Sequence, residues 1–329
     1  MTRVGAVDCG TNSIRLLIAD DAGDGALTDV VRDMVIVRLG EGVDETGRFT
    51  TEAIGRTRDA LDGYVEAMRT HGVTRVRMVA TSATRDASNR DDFFAMTAEL
   101  LGRVAPGAVA EVISGDEEAA LSFRGAVGDV STSSTGEGTS SSGEGTSSTR
   151  EGNGPFVVTD LGGGSTEIVM DSAAYSSNIG CVRLTEHCLH SDPPTPAEVD
   201  AAEAFVAERL APAFAAVPLE KARTWVGVAG TLTTLAALNL GLEHYDSEKI
   251  HLSRHPIASI ERICRELVAM PRAERAALGP MHPGRVDVIG GGALVTLALA
   301  REFSRRAGID ELVVSEHDIL DGIALGLLD

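Results

Sequence analysis

The sequence predicts an α/β protein built from two related domains that face each other across a cleft. Three observations carry that expectation. At 329 residues the chain is too long for one ordinary hydrophobic core. Short apolar runs alternate with amphipathic stretches through both halves, as in sheets flanked by helices. Finally, one glycine-rich segment occurs twice, once near the start of each half. Asp8-Cys9-Gly10-Thr11-Asn12-Ser13 and Asp160-Leu161-Gly162-Gly163-Gly164-Ser165 each join an incoming apolar run to an outgoing one. Laid together, Asp8 meets Asp160, Gly10 meets Gly162 and Ser13 meets Ser165.

The repeated segment has a chemistry of its own. Consecutive glycines admit positive φ and let bare N–H groups approach a ligand. Such nests of amides bind anions, phosphate above all. Asp160 at the strand end, with Glu167 beyond the turn, suits a hydrated Mg²⁺ beside that phosphate. Two such tips, each with an aspartate, amides and a hydroxyl, would clamp one phosphate–metal unit from both sides.

In chain order, residues 4–9, 14–19 and about 30–37 read as a β-meander. Thr50 or Thr51 caps a helix to about Thr70, with Ile54, Leu61, Val65 and Met68 on one stripe. Residues 76–80 form a buried strand that ends in hydroxyls and Arg85, an arrangement suited to an anion. Ser88 or Asn89 caps the next helix, 91–101. After a strand at 109–113 a helix opens with Asp116, Glu117 and Glu118. The helix dipole alone favours acids there. Neighbouring helical residues point about 100° apart, so only one of Glu117 and Glu118 faces the cleft. Residues 128–154 carry no aliphatic residue after Val130 and read as a flexible connection.

The second half opens with the hairpin 160–170 and continues into 176–186, where Arg183 is a candidate phosphate contact. A helix runs from Thr195 to about Val217, then a strand at 225–229. Gly230-Thr231 opens the following helix as a further anion cradle. Helices at 257–270 and 286–305, a strand at 311–315 and a helix at 318–328 complete the pattern.

Composition excludes several classes. A net charge of −20 argues against a nucleic-acid partner, which needs a basic stripe. It would also repel a polyanion, so local arginines and a metal must reverse the field at any phosphate site. No apolar run approaches the roughly 18 residues of a membrane span, and no secretory leader opens the chain; a cytoplasmic setting without membrane contact is expected. The four cysteines show no metal or disulfide spacing and read as buried thiols. Neither a P-loop nor a Gly-x-Ser-x-Gly elbow is present.

Taken in order, AVDCGTNSIRLLIA (6–19), VATSATRDASN (79–89), VISGDEEAALSF (112–123), VTDLGGGSTEIV (158–169), NIGCVRLTE (178–186) and GVAGTLTTLAAL (227–238) resemble the Ppx/GppA family of exopolyphosphatases and guanosine pentaphosphate phosphohydrolases. The resemblance implies the actin/sugar kinase/Hsp70 fold, with two ribonuclease H-like domains around a central cleft. Domain I would be 1–127 and domain II 155–315, joined by the flexible 128–154, with the last helix (about 316–329) packed back on domain I.

It implies hydrolysis of the terminal phosphoanhydride of inorganic polyphosphate with Mg²⁺ or Mn²⁺. The alternatives are the sister reaction on pppGpp, or a non-catalytic polyphosphate or alarmone sensor. The family's catalytic glutamate falls on Glu118, with Glu117 as second candidate, acting as general base toward an in-line water. The metal-associated acids would be Asp160 and Glu167, with Asp8 opposite. Phosphate contacts would be Gly10, Thr11, Asn12, Ser13, Arg85, Gly162, Gly163, Gly164, Ser165 and Arg183. Long members carry additional helical domains that this sequence lacks, so short polyphosphate chains are expected as substrates. A homodimer, a link to (p)ppGpp and a place in the stringent response follow from the same resemblance.

Overall fold

A computed structural model describes residues 2–23, 26–133 and 154–329. Two sheets organise them. In the first, β1 (Arg3–Cys9) pairs antiparallel with β2 (Ser13–Gly23), and β2 antiparallel with β3 (Ala26–Ile36). α1 (Val43–Thr46) and α2 (Thr51–Thr70) lead to β4 (Arg75–Ala80), parallel to β1. α3 (Ser82–Asp86) and α4 (Arg90–Leu101) lead to β5 (Glu111–Val112), parallel to β4, and then to α5 (Gly115–Ser133).

The second sheet repeats that order. β6 (Phe156–Leu161), β7 (Thr166–Met170) and β8 (Ala173–Ser177) form the meander. α6 (Cys181–Cys188) and α7 (Pro196–Ala216) precede β9 (Thr224–Val228), which is parallel to β6. α8 (Ala229–Asn239) and α9 (Ser247–Ile250) follow, then the edge strand β10 (Ser253–Pro256). Next come α10 (Ile257–Ala269), α11 (Arg272–Ala276) and α12 (Ile289–Ala307). β11 (Glu311–Val314) lies parallel to β9 and antiparallel to β10, and α13 (Ile319–Gly326) closes the chain. Strand orders β3-β2-β1-β4-β5 and β10-β11-β9-β6-β7-β8 are thus one ribonuclease H-like arrangement twice, with β10 added.

Local chemistry accounts for the elements. The Thr50 side chain caps α2 by accepting from the Ala53 amide, and Ala53, Thr57, Leu61, Val65 and Met68 bury at three- and four-residue spacing. Of the expected stripe, Ile54 lies only partly buried at its margin. α7 starts with a reciprocal capping box between Thr195 and Glu198. The edge strands β8 and β10 lack an apolar signature because they are short and partly exposed, and hydrogen bonds to β7 and β11 define them. Asn89 does not cap α4 through its side chain; that amide instead bridges the backbone of Phe49. The expected flexible connection is shortened by α5, which runs on to Ser133; residues 134–153 lie outside the described residues.

α5 and α13 lie between the sheets. α5 buries Ala119, Ala126 and Val130 against Val158, Val169, Val226 and Val313 of the second sheet. α13 buries Ile319, Leu320 and Ile323 against Val4, Ala6, Leu17 and Val79 of the first. The helices cross in backbone contact: a methyl at Gly125 would strike the Asp318 carbonyl, and one at Gly322 the Leu121 carbonyl. Among the described residues no helix is long and apolar enough to cross a membrane.

Candidate active site

The two glycine-rich segments form the same turn. In β1–β2, Asp8 stands opposite Arg15 and the Gly10 amide donates to the Ser13 carbonyl at 2.9 Å. In β6–β7, Asp160 stands opposite Glu167 and the Gly162 amide donates to the Ser165 carbonyl at 3.1 Å. The tips approach each other so closely that only glycine fits at position 164. A Cβ there would lie 2.6 Å from Thr11 Oγ1 and 2.7 Å from Ser82 Oγ.

Between the tips is a cleft of about 100 Å³, against the roughly 10–15 Å³ that one water requires. Asp8, Gly10, Thr11, Asn12, Ser13, Glu118, Asp160, Gly162, Gly163, Gly164 and Ser165 all line it. Sequence reasoning placed these residues at one site, and the structure brings them together.

Glu118 lies one turn into α5 and is 7% exposed. Arg85 Nη1 donates to its Oε2 at 2.7 Å and to the Ile113 carbonyl at 3.0 Å. Burial pushes the Glu118 carboxyl up to about 7, with Asp160 and Asp8 adding to the rise and Arg85 opposing it. A carboxyl near neutrality is poised to exchange a proton.

Four candidates lie outside the cleft lining: Arg85, Glu117, Arg183 and, behind it, Glu167. Arg85 is absent from the cleft lining, because its guanidinium is spent on Glu118 and Ile113. Glu117 points out of the cleft, half-exposed and paired with Arg77 at 2.6 Å, as the 100° step between neighbours requires. Arg183 sits on α6, just after β8, and ion-pairs with Asp44 at 2.9 Å and Asp86 at 2.6 Å rather than entering the cleft. It ties the rim of the second sheet to that of the first.

The remaining acids are held individually. Ser122 Oγ donates to Asp160 Oδ2 at 2.6 Å. Burial, then Asp318, pushes Asp160 up to about 6. Glu167 is fully buried behind the cleft lining, accepts from Ser176 Oγ at 2.7 Å, and leaves Oε2 without a partner. Burial, with Glu118 and Asp160 nearby, raises its carboxyl well above the ordinary range. Arg15 donates to Asp8 Oδ2 at 2.7 Å and pairs with Asp318. Burial opposes its charge, but Asp318, Asp8 and Asp160 hold it firmly protonated. Arg15, Ser122, Asp318 and the cleft-lining Arg285 are additions to the sequence reading. For Arg15 the signal was available: the overlay that aligns Asp8 with Asp160 sets Arg15 on Glu167.

Among the described residues no three His, Cys, Asp or Glu side chains form a ready-made metal site. The donor set nevertheless fits a hydrated cation. Five acids (Asp8, Glu118, Asp160, Glu167 and Asp318) gather at the site against three guanidiniums, those of Arg15, Arg85 and Arg285, and Asp8 Oδ1 is buried without a partner. One or two carboxylates completed by phosphate oxygens and waters is the usual Mg²⁺ shell. Beside the cleft, a larger cavity of about 500 Å³ shares Arg15, Ala229, Gly230 and Arg285 with it, and Asp318 lines that cavity.

The sequence profile of the Ppx/GppA phosphatase family matches residues 17–140 and 141–326. Exopolyphosphatase 2 of Mycobacterium tuberculosis is 60% identical over 99% of this chain and 99% of its own. A solved exopolyphosphatase-like protein superposes with a TM-score of 0.87 at 39% identity, covering 99% of this chain and 97% of its own. The crystal structure of an exopolyphosphatase from Cytophaga hutchinsonii gives a TM-score of 0.82 at 26% identity, over 100% and 98% of the two chains.

Proposed function

Because the chain belongs to the Ppx/GppA phosphatase family, we propose that it is an exopolyphosphatase, cleaving the terminal phosphoanhydride of inorganic polyphosphate by in-line attack of water and releasing orthophosphate. The observation that carries this reading is a buried glutamate, raised to about 7, beside two facing amide turns. With the Gly10 and Gly162 amides closing their own turns, the amides of Thr11–Ser13 and Gly163–Ser165 donate to the non-bridging oxygens of the terminal phosphate, and the hydroxyls of Thr11, Ser13 and Ser165 supply further donors. Glu118, ionised above neutral pH, accepts the proton of the attacking water at its carboxylate, and Arg85 fixes that carboxylate's plane. Asp160 and Asp8 are the residues that would hold Mg²⁺ or Mn²⁺, which supplies charge neutralisation to the transferring phosphoryl group when bound. Arg15 and Arg285 line the route toward the larger cavity and offset the charge of the inner phosphates.

The test is orthophosphate release from short polyphosphate, long polyphosphate, pppGpp and ATP. Polyphosphate is expected to be the preferred substrate, short chains above long ones, with Glu118→Gln at least a hundredfold slower. A protein that turns over pppGpp faster than any polyphosphate, or releases no phosphate from polyphosphate, sinks the proposal.

A further inference from the structure

Ser122 lies in the middle of α5 and its side chain is fully buried. At such a position alanine is the better helix former, and a serine hydroxyl ordinarily turns back to the carbonyl four residues earlier. Here it crosses instead to the neighbouring sheet and donates to Asp160 Oδ2 at 2.6 Å. Ser122 stands four residues after Glu118, so both side chains leave the same face of α5. One helix face therefore carries the proposed base and the donor that grips the proposed metal-bearing acid. With Oδ2 taken by the hydroxyl, Oδ1 is the oxygen left to serve the cleft that Asp160 lines.

We propose that Ser122 is a positioning residue for the cation: it fixes the Asp160 carboxylate plane and keeps one oxygen free for Mg²⁺ or Mn²⁺. This rests on the reading of Asp160 as a metal-bearing acid. A donor behind a ligating carboxylate is worth roughly 10–100-fold in metal affinity. Removing it also strands Oδ2 without a partner in a buried site.

The experiment counts bound Mn²⁺ by electron paramagnetic resonance on the whole protein, with orthophosphate present and no hydrolysis occurring. Thermal unfolding confirms that each variant is folded. Ser122→Ala is expected to weaken Mn²⁺ binding about tenfold, and Ser122→Thr, which keeps the hydroxyl, to remain within about twofold of the original. In separate turnover assays the alanine variant is expected to need about tenfold more Mn²⁺ yet reach nearly the original kcat at saturation. A purely structural defect would instead lower kcat at every metal concentration. The inference is overturned if the folded alanine variant binds Mn²⁺ within twofold of the original. It is equally overturned if the threonine variant is as weak as the alanine one, or if the original protein binds no Mn²⁺. Mn²⁺ binding that depends on Ser122 in a protein inert toward polyphosphate would instead reject the exopolyphosphatase reading and leave this one standing.

Discussion

Glu118→Gln separates the chemistry of the cleft from its cost to folding. Glutamine keeps the size of the side chain and a carbonyl that accepts from Arg85, but it carries no proton-accepting carboxylate. Activity is expected to fall by about 10²–10⁴, the usual contribution of a general base. Stability is expected to move the other way. The folded protein holds the Glu118 carboxyl at about 7 against an ordinary value of 4.5, with the pull of Arg85 already included. At about 1.36 kcal/mol per pH unit, carrying that charge costs about 3 kcal/mol once the group is ionised in both states.

A raised carboxyl favours the folded state only while it stays protonated. The stabilisation by Glu118→Gln is therefore absent below about pH 4.5, grows between about 4.5 and 7, and is complete above 7. Denaturant unfolding of both proteins at pH 5 and pH 8, in metal-free buffer, measures it. A variant no more stable than the original at pH 8, or one that keeps turnover within a few-fold, refutes the argument.

Arg85→Ala removes the cation that opposes the rise of Glu118, so the acid limb of kcat/KM should move above its starting point near pH 7, with little change in KM. A pH–rate profile decides it. Gly164→Ala forces a methyl against Thr11 and Ser82, and should cost about 1–3 kcal/mol in a denaturant titration by prising the tips apart. Arg183→Ala breaks the rim pairs with Asp44 and Asp86 and a 3.4 Å hydrogen bond to Ser82. Stability should fall by about 1 kcal/mol or less, and KM for polyphosphate should hold within a few-fold. A hundredfold rise in KM would return Arg183 to the substrate.

The repeated aspartate–glycine–serine turn made the cleft legible before any coordinates. A β-hairpin tip is a local structure, written in neighbouring residues, and two copies imply a common partner. Locality went halfway at the start of α5: it required Glu117 and Glu118 to point to different faces, and the preference for Glu118 came from the family resemblance. Residues that act across the chain were not. Arg183 and Arg85 looked like phosphate ligands because an arginine that follows a strand carries no record of the acid that will claim it. Arg183 meets Asp44 and Asp86 only once the sheets are assembled, and Arg85 meets Glu118 from a different helix. Ser122 and Asp318 gave no signal at all, being a mid-helix serine and an ordinary cap until Asp160 and Arg15 are folded against them. β8 and β10 were missed for a related reason: an edge strand is defined by the strand beside it.

The bare crossing of α5 over α13 makes a fulcrum. With no side chains at Gly125 and Gly322 to act as padding, the angle between the helices is set by backbone against backbone. Glu118 sits seven residues up the lever from Gly125, about 10 Å at 1.5 Å per residue. A tilt of about 5° would swing its carboxylate by nearly 1 Å, a misalignment that can slow a reaction about a hundredfold. The two glycines lie away from the cleft, yet the aim of the Glu118 carboxylate is governed from where they touch.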